Sequence, residues 1–238
     1  MHLYLIRHGQ STINLPNFQA SAPDYYDPPL TELGHQQAAA LAEWIVHEVP
    51  APDVIYASTM QRTRQTVAPL AAAYQQNIIF DDRIRELGNN YADHRPIPAE
   101  QVSGDTLDNA SVFAPFTPSV STMPDSESWN NFRDRVGTFI EEIARKYTSE
   151  TVLVVCHGGV INAAVDYMFN VGVYRRCQLW NFNTGITYFE RLQEDGQKFW
   201  RMHYHSRAEH LITVEGMHHA ATFAATKRAK AAVGGNHR

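Results

Sequence analysis

Leu3-Tyr4-Leu5-Ile6-Arg7-His8-Gly9-Gln10-Ser11-Thr12 opens the chain. The apolar run over residues 2–6 predicts a buried strand, and an arginine, a histidine and a glycine follow at its C-terminal end. Open α/β sheets build their sites at the carboxyl ends of strands. A second stretch repeats the pattern: Thr151-Val152-Leu153-Val154-Val155-Cys156, then His157-Gly158-Gly159. Two strand-end histidines so far apart in sequence are what one site at neighbouring strand tips requires.

Helical and strand patterns alternate outward from these two strands. Residues 14–30 read as loop, with Pro16, Asp24, Asp27, Pro28 and Pro29. Thr31 reads as an N-cap, and Gln36 to Val49 carries helical apolar spacing at Ala38, Leu41, Ala42, Ile45 and Val49. Asp53–Ala57 and Asn77–Phe80 predict short strands. Thr59–Tyr74 between them predicts a helix that Pro69 should kink or end early. Ser128–Tyr147 is amphipathic, with Phe132, Val136, Phe139, Ile140 and Ile143 on one face. Gly159–Phe169 predicts the helix after the second strand. Then the period changes: Gln178–Phe182, Gly185–Leu192 and Lys198–His205 predict strands, the last two joined at a Glu194-Asp195-Gly196-Gln197 turn. This order predicts a three-layer α/β sandwich with a mostly parallel central sheet flanked by helices.

Residues 87–126 are rich in Pro, Ser, Asn and Asp. A structureless loop of that length is uncommon in a compact domain, so a lid insertion is expected there. Residues 1–215 are then expected to form one catalytic domain. The basic, Ala-rich 216–238 stretch is expected to be a frayed tail.

The 238 residues include 44% apolar ones, enough for a full core. A formal net charge of -5 gives no global signature of nucleic-acid binding, so any anion site must be made by local arginines. Two cysteines, Cys156 and Cys177, do not make a disulfide framework. The N-terminus runs straight into a strand, and no apolar stretch reaches the roughly 20 residues needed to span a bilayer. A cytoplasmic protein with neither nucleic-acid nor membrane partners is the simplest expectation. Nothing in the sequence sets the oligomeric state.

Four segments end strands or begin helices with reactive side chains: Arg7 and His8 with Asn14 nearby; Arg62 in the first turn of a helix; Glu86 after a strand; and His157 beside its glycines. Two arginines can hold a phosphoryl group through planar forks. A neutral imidazole can attack phosphorus, and a protonated carboxyl can hand a proton to the leaving oxygen. A second histidine, if cationic, would stabilise charge on the equatorial oxygens. Such a set requires neither metal nor cofactor. Arg64, Arg83 and Arg85 read as solvated, and Asn14 could equally cap a turn. Cys156 fails the Cys-x5-Arg pattern of a cysteine phosphatase, because the count reaches Asn162; it reads as packing. His203 and His205 alternate on a strand without a further ligand and read as strand surface. Trp129 and Trp180 read as packing, though either could rim the pocket.

The chain resembles the histidine phosphatase superfamily, in its phosphoglycerate-mutase-like branch. The matching pieces occur in family order: Arg7-His8-Gly9 with Asn14, Leu30 to Ala38, Ser58 to Thr66, Glu86, Ser126-Glu127-Ser128, Cys156 to Gly159, and Asn183-Thr184-Gly185-Ile186-Thr187. The resemblance implies that fold and a phosphomonoesterase acting on a small phosphorylated metabolite. His8 would be the phosphohistidine nucleophile and Glu86 the proton donor and later the base for water. Arg7, Arg62 and His157 would line the phosphate pocket, with Asn14 as a further contact. After Glu86 the chain departs from the family mutases: Leu87-Gly88-Asn89-Asn90-Tyr91-Ala92-Asp93 stands where an Arg-His-Tyr-Gly-like segment is usual. The Gly-x-x-Glu-Gly pattern of many small family phosphatases is missing too. The substrate therefore does not carry over, and the 87–126 insertion and the Asn14–Leu30 loop are expected to choose it. Aromatics there (Phe18, Tyr25, Tyr26, Tyr91, Phe113, Phe116) would suit a partly apolar leaving group. A phosphoglycerate-mutase-type phosphotransferase and a non-catalytic phospho-ligand-binding protein are the alternatives.

Overall fold

The computed structural model describes residues 1–15, 18, 27–87, 127–172 and 179–215. Most of the expected lid (88–126), most of the 14–30 loop and the 216–238 tail lie outside the described residues, as do Tyr25, Tyr26, Tyr91, Phe113 and Phe116.

Six strands form one sheet in the order β3-β2-β4-β1-β5-β6. They are β1 (His2–Arg7), β2 (Val54–Ser58), β3 (Ile78–Asp81), β4 (Thr151–Cys156), β5 (Ile186–Glu194) and β6 (Gln197–Arg207). β3, β2, β4 and β1 run parallel, and the β5–β6 hairpin is antiparallel. β4 is buried at every residue, as expected of a parallel strand covered on both faces. The hairpin turn places Asp195 at φ 50 and Gly196 at φ 78. Positive φ at both central residues matches the twist of the flanking strands.

The helices are α1 (Glu32–Glu48), α2 (Gln61–Tyr74), α3 (Trp129–Lys146), α4 (Gly158–Met168) and a short α5 (Leu211–Glu215). Side chains alternate along the strands and divide the core in two. Leu3, Leu5, Val152 and Val154 pack with Phe132, Phe139 and Ile140 of α3 and Ile161 of α4. Tyr4, Ile6, Leu153 and Val155 pack with Leu41 and Ile45 of α1 and Val67 and Leu70 of α2. The three-layer α/β sandwich is thus observed.

Two local expectations are corrected. α2 passes through Pro69 and ends at Tyr74, where Gln75 adopts φ 52. Burial of Val67, Leu70 and Ala71 outweighs the backbone hydrogen bond that proline removes. Leu179–Phe182 is not a strand. Its polar groups pair individually: the Phe182 N–H donates to Ser206 Oγ at 2.7 Å, and the Asn181 carbonyl accepts from Arg7. α1 also starts earlier than its apolar spacing, because Thr31 Oγ1 accepts from the Gly34 N–H and caps the first turn.

Register positions the site. Arg7 of β1 lies opposite Cys156 of β4, so the next residues, His8 and His157, leave the sheet side by side. Ala57 lies opposite Val155, which brings Ser58 to the same edge. Ser58 in turn faces Asp81, and the chain from Asp81 reaches Glu86 through a 3-10 turn at Asp82–Ile84. Gly9 matters for approach: a Cβ there would lie 2.6 Å from the Gly34 carbonyl oxygen at the start of α1.

Candidate active site

His8 sits at the tip of β1, 3% exposed. Its N–H donates to the Cys156 carbonyl at 3.0 Å. Its Nδ1 lies 2.6 Å from the Gly9 carbonyl oxygen. Only a donor pairs with a carbonyl, so the network assigns the ring hydrogen to Nδ1. Nε2 then carries the lone pair, and it accepts from Arg62 Nε at 3.2 Å. Burial, then Arg62 and Arg7, push the His8 pKa well below 6.5, against a smaller pull from the Gly9 carbonyl. His8 is therefore a neutral imidazole whose nucleophilic nitrogen faces a cation.

The arginines come from different layers. Arg62, in the first turn of α2, is 2% exposed. Burial pushes its pKa down to about 10, with Glu86 and Asp27 opposing, which leaves it charged at neutral pH. Arg7 Nη1 donates to the Asn181 carbonyl at 2.5 Å. Burial lowers its pKa, and the nearby Glu86 partly offsets this. Among the described residues no protein group pairs with Arg7 Nε, Arg62 Nη1 or His157 Nδ1. An unpaired buried donor costs about 1–3 kcal/mol. All three belong to side chains grouped around His8: Arg62 bonds its Nε2 at 3.2 Å, Arg7 acts on its charge, and the His157 ring centroid is 5.3 Å away, an arrangement able to receive an oxyanion.

His157 is fully buried, and its ring centroid is 5.3 Å from that of His8. Its Nε2 is 2.9 Å from Ser58 Oγ. Burial comes first, then Arg62, His8, Arg85 and Arg135, in pushing its pKa well below 6.5. The cationic form considered from the sequence is thus disfavoured: His157 is neutral.

Glu86 is held by backbone amides. Its Oε2 accepts from Gly159 N at 3.1 Å and its Oε1 from Leu87 N at 3.0 Å. The Gly159 amide belongs to the first turn of α4, where N–H groups are free and the helix dipole favours an anion. A Cβ on Gly159 would collide with the Glu86 carboxylate, so the second glycine after His157 admits the acid. Further back, Arg135 of α3 binds the segment that delivers Glu86. Its Nη1 donates to the carbonyls of Arg83 (2.5 Å), Arg85 (3.2 Å) and Asp82 (3.4 Å). Its Nε and Nη2 pair with Glu127.

Asn14 stands apart from this group. It is exposed, and its Oδ1 accepts from the Ser11 N–H at 3.0 Å and hydroxyl at 3.2 Å. That is the turn-capping alternative. Arg64 is exposed, its guanidinium 4.0 Å from the centre of the Phe80 ring. Arg83 pairs with Asp81 and Glu142. Arg85 corrects the solvated expectation: its side chain is 16% exposed and lies 3.7 Å from Asp82. Cys156 is fully buried, and burial raises its thiol pKa. His203 is exposed and bonded to Glu190. His205 is half-buried between Thr187 Oγ1 and the Trp180 carbonyl. Trp129 packs on Phe132, whereas Trp180 is 42% exposed. The described residues include no cluster of three or more His, Cys, Asp or Glu that could hold a metal ion, and no helix among them is long and apolar enough to cross a membrane.

Ser58, Asn181, Asn183 and Arg135 were not singled out as site residues from the sequence. Asn183 Nδ2 donates to the His8 carbonyl at 3.0 Å. The Thr184 N–H, held at φ 56, bonds the Arg7 carbonyl at 3.0 Å. The Asn183-Thr184-Gly185 motif was the available signal, since it fixes the backbone on which Arg7 and His8 stand.

Comparison with known proteins fits this geometry. A Hydrogenobacter thermophilus protein provisionally named phosphoserine phosphatase 2 is 30% identical over 203 residues, covering 82% of this chain and 91% of the relative. An Escherichia coli protein provisionally named phosphoglycerate mutase GpmB is 28% identical over 76% of this chain and 81% of its own length. Among solved structures, Entamoeba histolytica phosphoserine phosphatase in complex with phosphoserine superposes with a TM-score of 0.66 at 20% identity, covering 88% of this chain and 98% of that one. Bacillus stearothermophilus YhfR gives 0.67 at 23% identity, with coverage of 88% and 98%. At such identities the structures speak for the fold. The model of the histidine phosphatase superfamily, branch 1, matches residues 3–204, and this chain belongs to that superfamily.

Proposed function

We propose that the protein is a phosphomonoesterase that hydrolyses a small phosphorylated metabolite through a phosphohistidine on His8. The carrying observation is the state of His8: neutral, with hydrogen on Nδ1 and the lone pair of Nε2 directed at a buried arginine. A phosphoryl group that displaces the Arg62 Nε–H from Nε2 meets the nucleophile and the counter-charge together. Nε2 attacks phosphorus, the P–O ester bond breaks, and its electron pair goes to the leaving oxygen. Glu86 in its protonated form supplies the proton, and the alcohol departs. Water then attacks the phosphohistidine while the Glu86 carboxylate takes its proton. The P–N bond breaks, giving inorganic phosphate and a neutral His8. Arg7, Arg62 and the His157 Nδ1 edge meet the equatorial oxygens. The arginines supply the positive charge that a metal would otherwise bring.

Hydrolysis of a phosphorylated acid is supported by the Hydrogenobacter relative's name and by the departure after Glu86 from the mutase pattern. The Escherichia coli relative favours a second reading, in which the phosphoryl group returns to a bound acid before water arrives. Two assays separate them: phosphate release from p-nitrophenyl phosphate and phosphoserine, and conversion of 3-phosphoglycerate primed with the bisphosphate. Phosphate release unaffected by EDTA and blocked by orthovanadate is expected. Mutase turnover outrunning release would replace hydrolysis. No turnover of any ester alongside tight phosphate binding would indicate a binding protein instead.

A further inference from the structure

Ser58 is fully buried at the tip of β2. Its Oγ meets two groups: it accepts from the Met60 N–H at 3.3 Å and lies 2.9 Å from His157 Nε2. A hydroxyl has one hydrogen to give. Were Nε2 to carry the ring hydrogen, it and the Met60 amide would both donate to Oγ. The hydroxyl hydrogen would then point into a packed interior without an acceptor. If the hydroxyl instead donates to Nε2, Oγ accepts one bond and gives one, and the ring hydrogen of His157 sits on Nδ1. That atom is buried and pairs with no group among the described residues. His8 is wired the opposite way, with its Nδ1 hydrogen spent on the Gly9 carbonyl and its lone pair directed inward.

We infer that Ser58 is a positioning residue: its hydroxyl fixes His157 as the neutral Nδ1–H tautomer, so that His157 meets the phosphoryl group as an uncharged donor. The catalytic consequence rests on the phosphoryl-transfer reading above; the tautomer does not. Neutrality has a use. A cationic His157, 5.3 Å ring to ring from His8, would tighten the hold on the phosphohistidine's oxygens, yet it would also offer a proton beside the His8 nitrogen that must stay unprotonated to attack. A neutral donor aims one hydrogen at the oxyanion and leaves the charge to the arginines. The distance between Ser58 and His157 in sequence is bridged by the β2–β4 pairing alone.

Ring nitrogen NMR on protein labelled with 15N-histidine tests the tautomer without turnover. His157, assigned by its absence in His157→Asn, should show a hydrogen-bearing Nδ1 and a bare Nε2 near neutral pH. A hydrogen on Nε2, or on both nitrogens, overturns the inference even if the enzyme is fully active. Ser58→Ala should shift the ring toward Nε2–H and lower kcat about 10–100-fold, the range for losing an orienting partner behind a reacting group. Ser58→Thr, which keeps the hydroxyl, should recover most of that loss. Wild-type kcat in a folded Ser58→Ala removes the positioning role. Should Ser58→Ala fail to fold, the wild-type spectrum still decides. If the tautomer is as stated but no ester is turned over, the proposed function fails while the wiring of His157 stands.

Discussion

The two halves of the site are built differently. The nucleophile half, comprising Arg7, His8, His157 and Ser58, stands on the tips of three adjacent strands, where the ladder itself sets each position. The acid half is Glu86, beyond a short 3-10 turn at the end of β3, near the sheet's edge. No ladder reaches it. Its place is set by the amides of Gly159 in α4 and of Leu87, and by Arg135, which reaches across from α3. One half is rigid because its backbone is rigid. The other depends on a few side-chain bonds that a single substitution can remove.

The largest effect should come from the rigid half. His8→Ala removes the covalent route, and turnover is expected to vanish while the circular dichroism spectrum stays native. An acid-labile phosphoprotein trapped in the wild type should map to His8. Substantial residual activity, or label on a serine, would break the comparison by moving the nucleophile elsewhere.

Glu86→Gln comes next. The amide keeps the shape but cannot donate as an acid, and a positioned acid contributes about 10²–10⁴-fold. Pre-steady-state bursts report the phosphorylation step alone. The burst should slow by that order with alkyl phosphates and much less with p-nitrophenyl phosphate, whose phenolate leaves without a proton. Equal slowing would mean that Glu86 is not the donor. Asp93 and Glu100, outside the described residues, would then be the carboxyls to substitute.

Arg135 gives a smaller, sharper test. Arg135→Ala leaves Glu127, 11% exposed, without its partner, and breaking a buried pair costs roughly 3–5 kcal/mol. Arg135→Met combined with Glu127→Gln avoids that stranded charge and should recover most of the stability. The three carbonyls before Glu86 would still lack their clamp. We expect the double variant to lose about 10–100-fold in the alkyl-phosphate burst and little with the aryl ester. If it is as fast as wild type on both, Glu86 is placed by α4 alone.

The same division governs what could be read from the sequence. Arg7, His8 and His157 were legible because each follows an apolar run that must be a buried strand. Their approach to one another depends on register, Arg7 opposite Cys156, and a one-residue slip would turn every side chain to the other face. Glu86 was marked locally only as a carboxylate after a strand, and the order of family motifs gave it its role. Ser58, Asn181 and Arg135 act through partners distant in sequence, which composition and periodicity do not report. The failure of Leu179–Phe182 to form the strand expected at Gln178–Phe182 has the same cause. Its apolar spacing suits a ladder, but the carbonyl of Asn181 is taken by Arg7. Pro69 is the converse: packing carries α2 on to Tyr74, past the early end that the proline suggested.

The smallest effect concerns pH and belongs to the nucleophile half. Burial and neighbouring arginines hold the pKa values of His8 and His157 well below 6.5. In the unfolded chain both would titrate near 6.5. Between the folded and unfolded values, the unfolded state binds protons that the folded state refuses, so stability rises with pH and is lost as pH falls below 6.5. Above 6.5 neither histidine contributes a slope. Glu142, Glu150 and Glu190 have lowered pKa values from an ordinary 4.5, so their loss of stability begins at more acidic pH. The interval from about 4.5 to 6.5 therefore separates histidines from carboxylates; burial lowers the His205 pKa as well, and only the comparison with a His8 variant singles out His8. Each histidine can contribute at most about 1.4 kcal/mol per pH unit, a tenfold change in the folding equilibrium. His8→Gln, compared with wild type by urea unfolding in phosphate-free buffer, should have a slope shallower by nearly that amount. The relief of His157, which His8 helps to depress, adds to that difference and does not subtract from it, since neighbouring sites do not contribute independently. A bound oxyanion would add its own linkage, hence the buffer. Equal slopes in the two proteins would mean that His8 takes up its proton as readily in the folded state as in the unfolded one. Burial and the arginines would then not hold Nε2 free below 6.5, and the asymmetry between the two halves would be lost.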